Sequence, residues 1–177
     1  MAVGSSTGGL ALAERWHGKR WAIQPSPSEG DEGYPFAGVS CGSARACTAV
    51  GLANYDLSTG AESALVEHWD GTEWAGQSGP SDAGTFLSGV SCTSRRACIA
   101  VGTGPDTASM AWRWNGKKWA SQPISGTEPL AGISCSSARR CTAVGFEADA
   151  SGNTLTLAER WNGRRWAIKR TLSPGPA

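Results

Sequence analysis

The sequence predicts an all-β fold made of repeated four-stranded units, and three observations lead to this prediction. The chain has 177 residues, of which 24 are Gly, 9 are Trp and 6 are Cys. A Trp-containing motif occurs four times, and a Cys-containing motif occurs three times between those copies. Regular spacing of a large aromatic residue among many turn residues is typical of a repeat architecture without long helices.

The Trp-containing motif has the form W-x-G-x-x-W. It reads WHGKRW from Trp16, WDGTEW from Trp69, WNGKKW from Trp114 and WNGRRW from Trp161, at intervals of 53, 45 and 47 residues. Asp-Gly and Asn-Gly are preferred in two-residue hairpin loops, because Gly adopts a positive φ without strain. Each copy therefore predicts a hairpin between two strands, which we label C and D.

The Cys-containing motif predicts a second hairpin, between strands A and B. It reads GVSCGSARACTAVG from Gly38, GVSCTSRRACIAVG from Gly89 and GISCSSARRCTAVG from Gly132. Small and β-branched runs flank a short Ser/Ala/Arg turn in each copy. Four strands in about 45 to 50 residues match one blade of a β-propeller. We therefore expect a single repeat array over 1–177, with complete blades of four antiparallel strands at 36–80, 86–124 and 130–174 after a partial blade at 1–27.

The first blade is expected to lack its inner strand. Its segment Met1 to Gly4 aligns with Thr48 to Gly51, so strand A and its Cys pair have no counterpart there. Propellers close by joining their first and last blades. We expect either that the chain is a fragment of a longer propeller or that it closes its ring by pairing with another copy.

The order of a G-V-S strand, an A-V-G strand and a W-[DN]-G-x-x-W hairpin resembles the BNR or Asp-box type of β-propeller repeat. Within that type it is most similar to uncharacterised bacterial secreted proteins with Trp- and Cys-rich propeller repeats. The resemblance covers nearly the whole chain and implies the fold. Two features depart from it: the usual Ser-x-Asp-x-Gly spacing is not kept, and His17 stands where the other copies have Asp70, Asn115 and Asn162.

All six cysteines fall in C-x5-C pairs that flank the turn between strands A and B. Opposed Cβ atoms across such a hairpin can meet disulfide geometry, and each bond would stabilise the fold by about 2 kcal/mol. Zinc would require four ligands at shorter spacings, and neither His17 nor His68 lies in the Cys motif. We therefore favour disulfides over a zinc site or reduced thiols. Disulfides predict a secreted or extracellular protein. We expect no metal and no cofactor. The predicted pairs are Cys41 with Cys47, Cys92 with Cys98, and Cys135 with Cys141.

The formal net charge of +1 gives no overall attraction to nucleic acid, and no apolar run approaches the roughly 18 residues of a membrane span. The charges nevertheless separate between the two ends of the predicted blades. The turns A–B and C–D collect basic residues at one end: Lys19, Arg20, Arg45, Arg95, Arg96, Lys117, Lys118, Arg139, Arg140, Arg164 and Arg165. The loops B–C and D–A collect acidic residues at the other end: Glu29, Asp31, Glu32, Asp56, Glu62, Asp82, Asp106, Glu128, Glu147 and Asp149.

These two ends give alternative interpretations. Both could be merely solvated turns. The acidic end could bind a glycan or a protein, with Asp31, Glu32, Tyr34, Tyr55 and Asp56 as the candidate contacts. The basic end could instead bind a polyanion such as a cell-wall polymer, with binding that depends strongly on salt.

Eight of the nine Trp residues belong to the repeat motif and are expected to pack in the core. Trp112 is the exception, because Glu14, Glu67 and Glu159 occupy its position in the other units. It is either an exposed contact or a local repacking of the core. The Glu residues are expected to be structural, each pairing with an Arg of a neighbouring blade.

No catalytic motif is present. The chain has no Ser-His-Asp order, phosphate loop or dinucleotide fingerprint, and no counterpart of the Arg, Tyr and Glu machinery of Asp-box sialidases. We therefore expect a non-catalytic binding module. The alternatives are an architectural repeat array and a fragment of a larger glycosidase-like propeller hydrolase.

Overall fold

A computed structural model describes residues 1–7, 10–28, 35–56, 61–80, 84–105, 108–126 and 128–171, without the side chains of 54–56 and 61–62. In these ranges the chain forms fifteen β-strands in four antiparallel sheets and no α-helix. No helix in them could therefore reach across a membrane.

The four sheets follow one another along the chain. The first contains β1 (Ala2–Ser5), β2 (Ala11–Trp16) and β3 (Trp21–Ile23). The second contains β4 (Phe36–Ser43), β5 (Ala46–Asp56), β6 (Ala61–Trp69) and β7 (Trp74–Gly76). The third contains β8 (Phe86–Ser94), β9 (Ala97–Thr103), β10 (Ser109–Trp114) and β11 (Trp119–Pro123). The fourth contains β12 (Leu130–Ser137), β13 (Arg140–Ala148), β14 (Thr154–Trp161) and β15 (Trp166–Lys169).

Each sheet is a simple meander in which consecutive strands pair. The three complete sheets have the strand order A, B, C and D, and the first sheet has only B, C and D. The predicted fold class is therefore confirmed: three four-stranded blades follow a blade that lacks its inner strand.

Strand A is the inner strand because the A strands of consecutive sheets pack against each other. The backbone N–H of Cys92 donates to Ser40 Oγ at 2.8 Å, and that of Cys135 donates to Ser91 Oγ at 2.9 Å. A Cβ on Gly89 would lie 3.2 Å from the Gly132 Cα, closer than most side-chain contacts. Glycine at this position thus allows neighbouring A strands to approach.

We call the contact between two consecutive sheets a joint. In the first joint, Ala11 and Ala13 of β2 pack against Trp69 and Trp74 of the second sheet. In the third joint, Ala111 of β10 packs in the same way against Trp161 and Trp166. The joints hold the hydrophobic core, which is therefore divided between sheets.

The paired Trp residues of each motif also contact each other across their hairpin. The ring centroids of the four pairs are 5.5 to 5.8 Å apart, as in Trp69–Trp74 at 5.8 Å. Trp112 is 1% exposed and belongs to the core of the second joint. The repacking interpretation of Trp112 is therefore correct.

The buried Glu residues bind backbone rather than Arg, which corrects the expected pairing. Glu159 accepts hydrogen bonds from the backbone N–H groups of Ser125 at 3.0 Å and Gly126 at 2.6 Å. Glu67 accepts one from the N–H of Ser28 at 3.1 Å. Loop N–H groups that would otherwise lack partners supply the donors that these carboxylates need.

The three predicted disulfides are present, and no free cysteine remains. Each joins strands A and B of one blade, with Cα atoms 3.9 to 4.0 Å apart. Three disulfides in a chain of this size indicate an oxidising environment.

Candidate functional site

The A–B and C–D turns lie side by side at one end of each sheet. A Cβ on Gly71 would lie 2.8 Å from Cγ of Arg45, and one on Gly116 would lie 2.9 Å from Cγ of Arg96. Likewise, a Cβ on Gly163 would lie 3.0 Å from Cγ of Arg139. Because the A strands are aligned, these turns together form one surface, which we call the turn face.

The turn face is strongly basic. Its eleven basic residues, the ones named above for the A–B and C–D turns, are all exposed. Asp70 is a single negative charge among them, and its Oδ1 accepts hydrogen bonds from the Thr72 hydroxyl and from the N–H groups of Thr72 and Glu73. These bonds lower the pKa of Asp70 to about 2.

A cleft opens on this face at the second joint. Its volume is about 310 Å³, at the lower end of the range for small-molecule pockets. We call it the joint cleft. The second sheet contributes His68 and Gln77, and the third contributes Arg95, Arg96, Trp114 and Gly116.

His68 is the titratable group of the joint cleft. Burial lowers its pKa below 6.5, and the neighbouring Arg95 charge lowers it further. A hydrogen bond with the Cys47 backbone and the charge of Asp70 act in the opposite direction. His68 is therefore mainly neutral at pH 7 and can accept a hydrogen bond at one ring nitrogen.

Several buried nitrogen atoms at the joints have no hydrogen-bond partner among the described residues, and the indole nitrogens of Trp69 and Trp74 at the first joint are among them. At the second joint they include His68 Nε2 and Gln77 Nε2, which belong to residues that line the cleft, and Trp119 Nε1. At the third joint, Gln122 and Trp166 occupy the positions of Gln77 and Trp119. There Trp166 Nε1 donates a hydrogen bond to Gln122 Oε1 at 3.4 Å. A buried polar atom without a partner is costly, so these atoms indicate a place for water or a ligand.

In the first joint, the position of His68 is occupied by Arg15, which closes the space that is open at the cleft. There the Arg15 guanidinium lies 5.6 Å from the centroid of the Trp69 ring and covers it. Trp69 is 3% exposed. At the second joint the shorter His68 takes the place of Arg15, and Trp114 remains partly exposed.

Two other hollows of the turn face lie at the ends of the array, and each draws on a single sheet. One of about 550 Å³ is lined by His17, Lys19, Arg20 and Ala22. The other, of about 410 Å³, lies on the fourth sheet and includes Arg160 and Trp161. Of these two hollows and the joint cleft, only the joint cleft is lined by residues of two sheets.

The contacts predicted at the acidic end are not brought together in the described part of the chain. Asp31, Glu32 and Tyr34 lie outside the described residues. Tyr55 and Asp56 end β5, where they pair with Glu62 and Ala61, and their side chains are not described. A ligand site at that end stays a prediction.

Sequence reasoning missed the joint cleft, although the repeats contain a signal for it. His68 stands where the other copies have Arg15, Arg113 and Arg160. Arg95 stands where they have Ala44 and Ala138. The two departures from the repeat thus meet at one joint.

Within the described ranges, no cluster of three or more His, Cys, Asp or Glu residues is arranged to hold a metal.

The comparisons with known proteins support the fold. No family model and no characterised protein sequence matches the chain. A SapL1 lectin solved in complex with alpha methyl fucoside is similar over 94% of this chain, with 13% identity and a TM-score of 0.62. U3-55K is similar over 98% of this chain, with 11% identity and a TM-score of 0.54. A fucose lectin from Kordia zhangzhouensis matches 75% of this chain and 98% of its own, with 12% identity and a TM-score of 0.48.

The chain spans 57% of the SapL1 lectin and 63% of U3-55K, so it corresponds to part of each. At these identities the likeness extends to the fold and not to individual residues. The propeller interpretation of the repeats is supported in this way, whereas the assignment to the Asp-box type stays a prediction.

Proposed function

We propose that this protein is an extracellular, non-catalytic propeller module that binds a glycan in the joint cleft. One observation carries the proposal. The cleft places the partly exposed Trp114 indole beside His68 and Gln77, whose buried Nε2 atoms have no partner among the described residues, at a joint where the repeat departs from its own pattern.

The lining has the chemistry that a sugar requires. The Trp114 ring offers an apolar surface for the C–H groups of a pyranose. Hydroxyl groups of the same sugar can bond to the Gln77 amide and to neutral His68. The exposed guanidinium groups of Arg95 and Arg96 add donors at the rim. Because most of the residues that line the cleft are polar or charged, a polar ligand of this kind fits it better than an apolar one does.

The fold comparison favours the same ligand class. The SapL1 lectin, whose fold this chain resembles, was solved with alpha methyl fucoside. That similarity supports a sugar as the ligand and leaves its identity open. The disulfides support secretion, because glycans outside the cell and oxidised cysteines belong to the same compartment.

A glycan array probed with the 177-residue chain tests the proposal. We expect a defined set of glycans to bind, and Trp114→Ala to weaken binding of the best one at least tenfold. The matched control is Arg164→Thr, which removes a basic residue from the same face and introduces the residue type found at Thr72. Binding should survive the control, and the glycan should remain uncleaved.

Other outcomes would point to the alternative sites. Equal losses in Trp114→Ala and Arg164→Thr, with strong salt dependence, would indicate a polyanion spread over the turn face. Losses in Tyr34→Ala or Tyr55→Ala alone would indicate the acidic end. Either result would contradict a site in the joint cleft.

A further inference from the structure

The positive charge of the joint cleft comes from a single turn. Arg95 and Arg96 follow each other in the A–B turn of the third sheet, and both side chains are exposed where they line the cleft. Among the described residues that line it, none is Asp or Glu. Two guanidinium groups therefore face this space, and its described lining supplies no carboxylate to pair with them.

The two Arg residues differ in their relation to the repeat. Arg96 packs its side-chain stem against the C–D turn of its own sheet, since a Cβ on Gly116 would lie 2.9 Å from its Cγ. The A–B turns of the other complete sheets hold an Arg in the same way. The position of Arg95 is instead Ala in those sheets, Ala44 and Ala138. Arg95 is thus an additional cation, present only in the A–B turn that lines the joint cleft.

The charge of Arg95 acts across the joint. Burial lowers the pKa of His68 on the second sheet, and the Arg95 charge lowers it further. His68 is therefore mainly neutral at pH 7 and leaves the guanidinium uncompensated. An anionic group on a ligand would supply the missing partner, because Arg binds two oxygens of one anion through a pair of charge-assisted hydrogen bonds.

We propose that the glycan of the joint cleft carries an anionic group, a uronic acid carboxylate or a sulfate ester, and that Arg95 binds this group. The inference rests on the proposed function and names the class of glycan. In this arrangement the sugar ring stacks on Trp114, and its hydroxyl groups bond to Gln77 and His68. The guanidinium of Arg95 donates to two oxygens of the anion at the rim of the cleft.

A glycan array that contains matched pairs tests the inference with the 177-residue chain. The members of a pair share the sugar ring and differ in one anionic group, as in glucuronate and glucose, galacturonate and galactose, or 6-sulfated galactose and galactose. We expect the best glycan to be anionic and its neutral counterpart to bind about tenfold more weakly, because charge-assisted hydrogen bonds are stronger than neutral ones. The uronate and sulfate pairs distinguish the two kinds of anion.

Two substitutions at one position assign the anion to Arg95. Arg95→Ala introduces the residue that the other copies have, and circular dichroism should show unchanged folding. It should weaken binding of the anionic glycan about tenfold and change that of the neutral counterpart less than about twofold. Arg95→Lys keeps the charge and should recover part of the loss. Added salt should weaken binding of the anionic member of the pair more than that of the neutral one.

Arg164→Thr, which removes one charge of the turn face from a different sheet, is the matched control and should bind both glycans as the wild type does. A neutral best glycan that depends on Trp114 and not on Arg95 would overturn the anionic ligand and leave the proposed cleft in place. Equal losses in Arg95→Ala and Arg164→Thr would overturn both, since the anion would then bind along the turn face. An array on which no glycan binds would overturn the proposed function, and this inference with it.

Discussion

The second and third joints are built from the same repeat, yet one is open and the other is closed. At the third joint, Glu159 binds loop N–H groups and Gln122 binds Trp166, so the polar groups of the joint are paired. At the second joint, Trp112 takes the position of the Glu, and Gln77 has no described partner at its nitrogen. The difference marks the joint at which one copy of the repeat stops satisfying its own contacts, and this is where we propose the site.

The largest expected effect concerns Trp112, which replaces a buried Glu in the core of the second joint. Trp112→Ala should lower the free energy of unfolding by about 4 kcal/mol, because a large buried side chain leaves a cavity. Denaturant unfolding measures this loss. Trp16→Ala, at a half-exposed Trp, is the control and should cost far less; equal losses would contradict the assignment of Trp112 to the core.

At the third joint, Glu159 stands at the position of Trp112, so the equivalent substitution removes a carboxyl group instead of an indole ring. Glu159→Ala should cost about 3 kcal/mol, because two backbone N–H groups would lose a charged acceptor. Glu159→Gln keeps one oxygen acceptor and should cost less. Glu14→Ala is the control on the first sheet and should change the stability by about 0.5 kcal/mol or less. A Glu159→Ala variant as stable as the wild type would show that the loop bonds do not support this joint.

A smaller effect is expected when the first joint is made to resemble the second. Arg15→His removes the cation that covers Trp69 and should lower the free energy of unfolding by about 1 kcal/mol. Quenching of Trp fluorescence by a soluble quencher should increase, since Trp69 becomes more accessible. No change in quenching would indicate that Arg15 does not cover this ring.

The smallest effect is expected at the turn of the second sheet. Asn115 Oδ1 accepts hydrogen bonds from the N–H groups of Lys117 and Lys118, as Asp70 Oδ1 does from its own turn. Asp70→Asn should therefore leave the stability at pH 7 nearly unchanged. The two proteins should differ in acid, because hydrogen bonds in the folded state lower the pKa of Asp70 from 3.8 to about 2.

The sign of that difference follows from the lowered pKa. Stability from Asp70 is fully present above about pH 4 and is lost as the pH falls toward 2, since protonation removes the bonded carboxylate. Thermal melts at pH 7, 4 and 2 should show a steeper loss for the wild type than for Asp70→Asn. Parallel losses would contradict the role given to the carboxylate.

Most of the fold could be predicted from the sequence because it depends on local spacing. The W-x-G-x-x-W motif sets each C–D hairpin, and C-x5-C places each disulfide across an A–B hairpin. Contacts between sheets could not be predicted in the same way. The partners of Glu67 and Glu159 are loop N–H groups, which carry no side-chain signal in the sequence.

The joint cleft escaped prediction for a related reason. His68 and Arg95 are 27 residues apart and belong to different sheets, so only the packing of one sheet on the next brings them together. Each is nevertheless a departure from the repeat at its position. Comparing the copies position by position would have identified both residues, although not the cleft between them.

We propose that the joint cleft binds a glycan because His68 leaves open a position that Arg15 closes in the first joint. Isothermal titration calorimetry of the best array glycan against wild type and His68→Arg tests it most directly. We expect the variant to fold with equal or slightly higher stability and to bind the glycan at least tenfold more weakly. Unchanged affinity in a folded His68→Arg protein would contradict the claim.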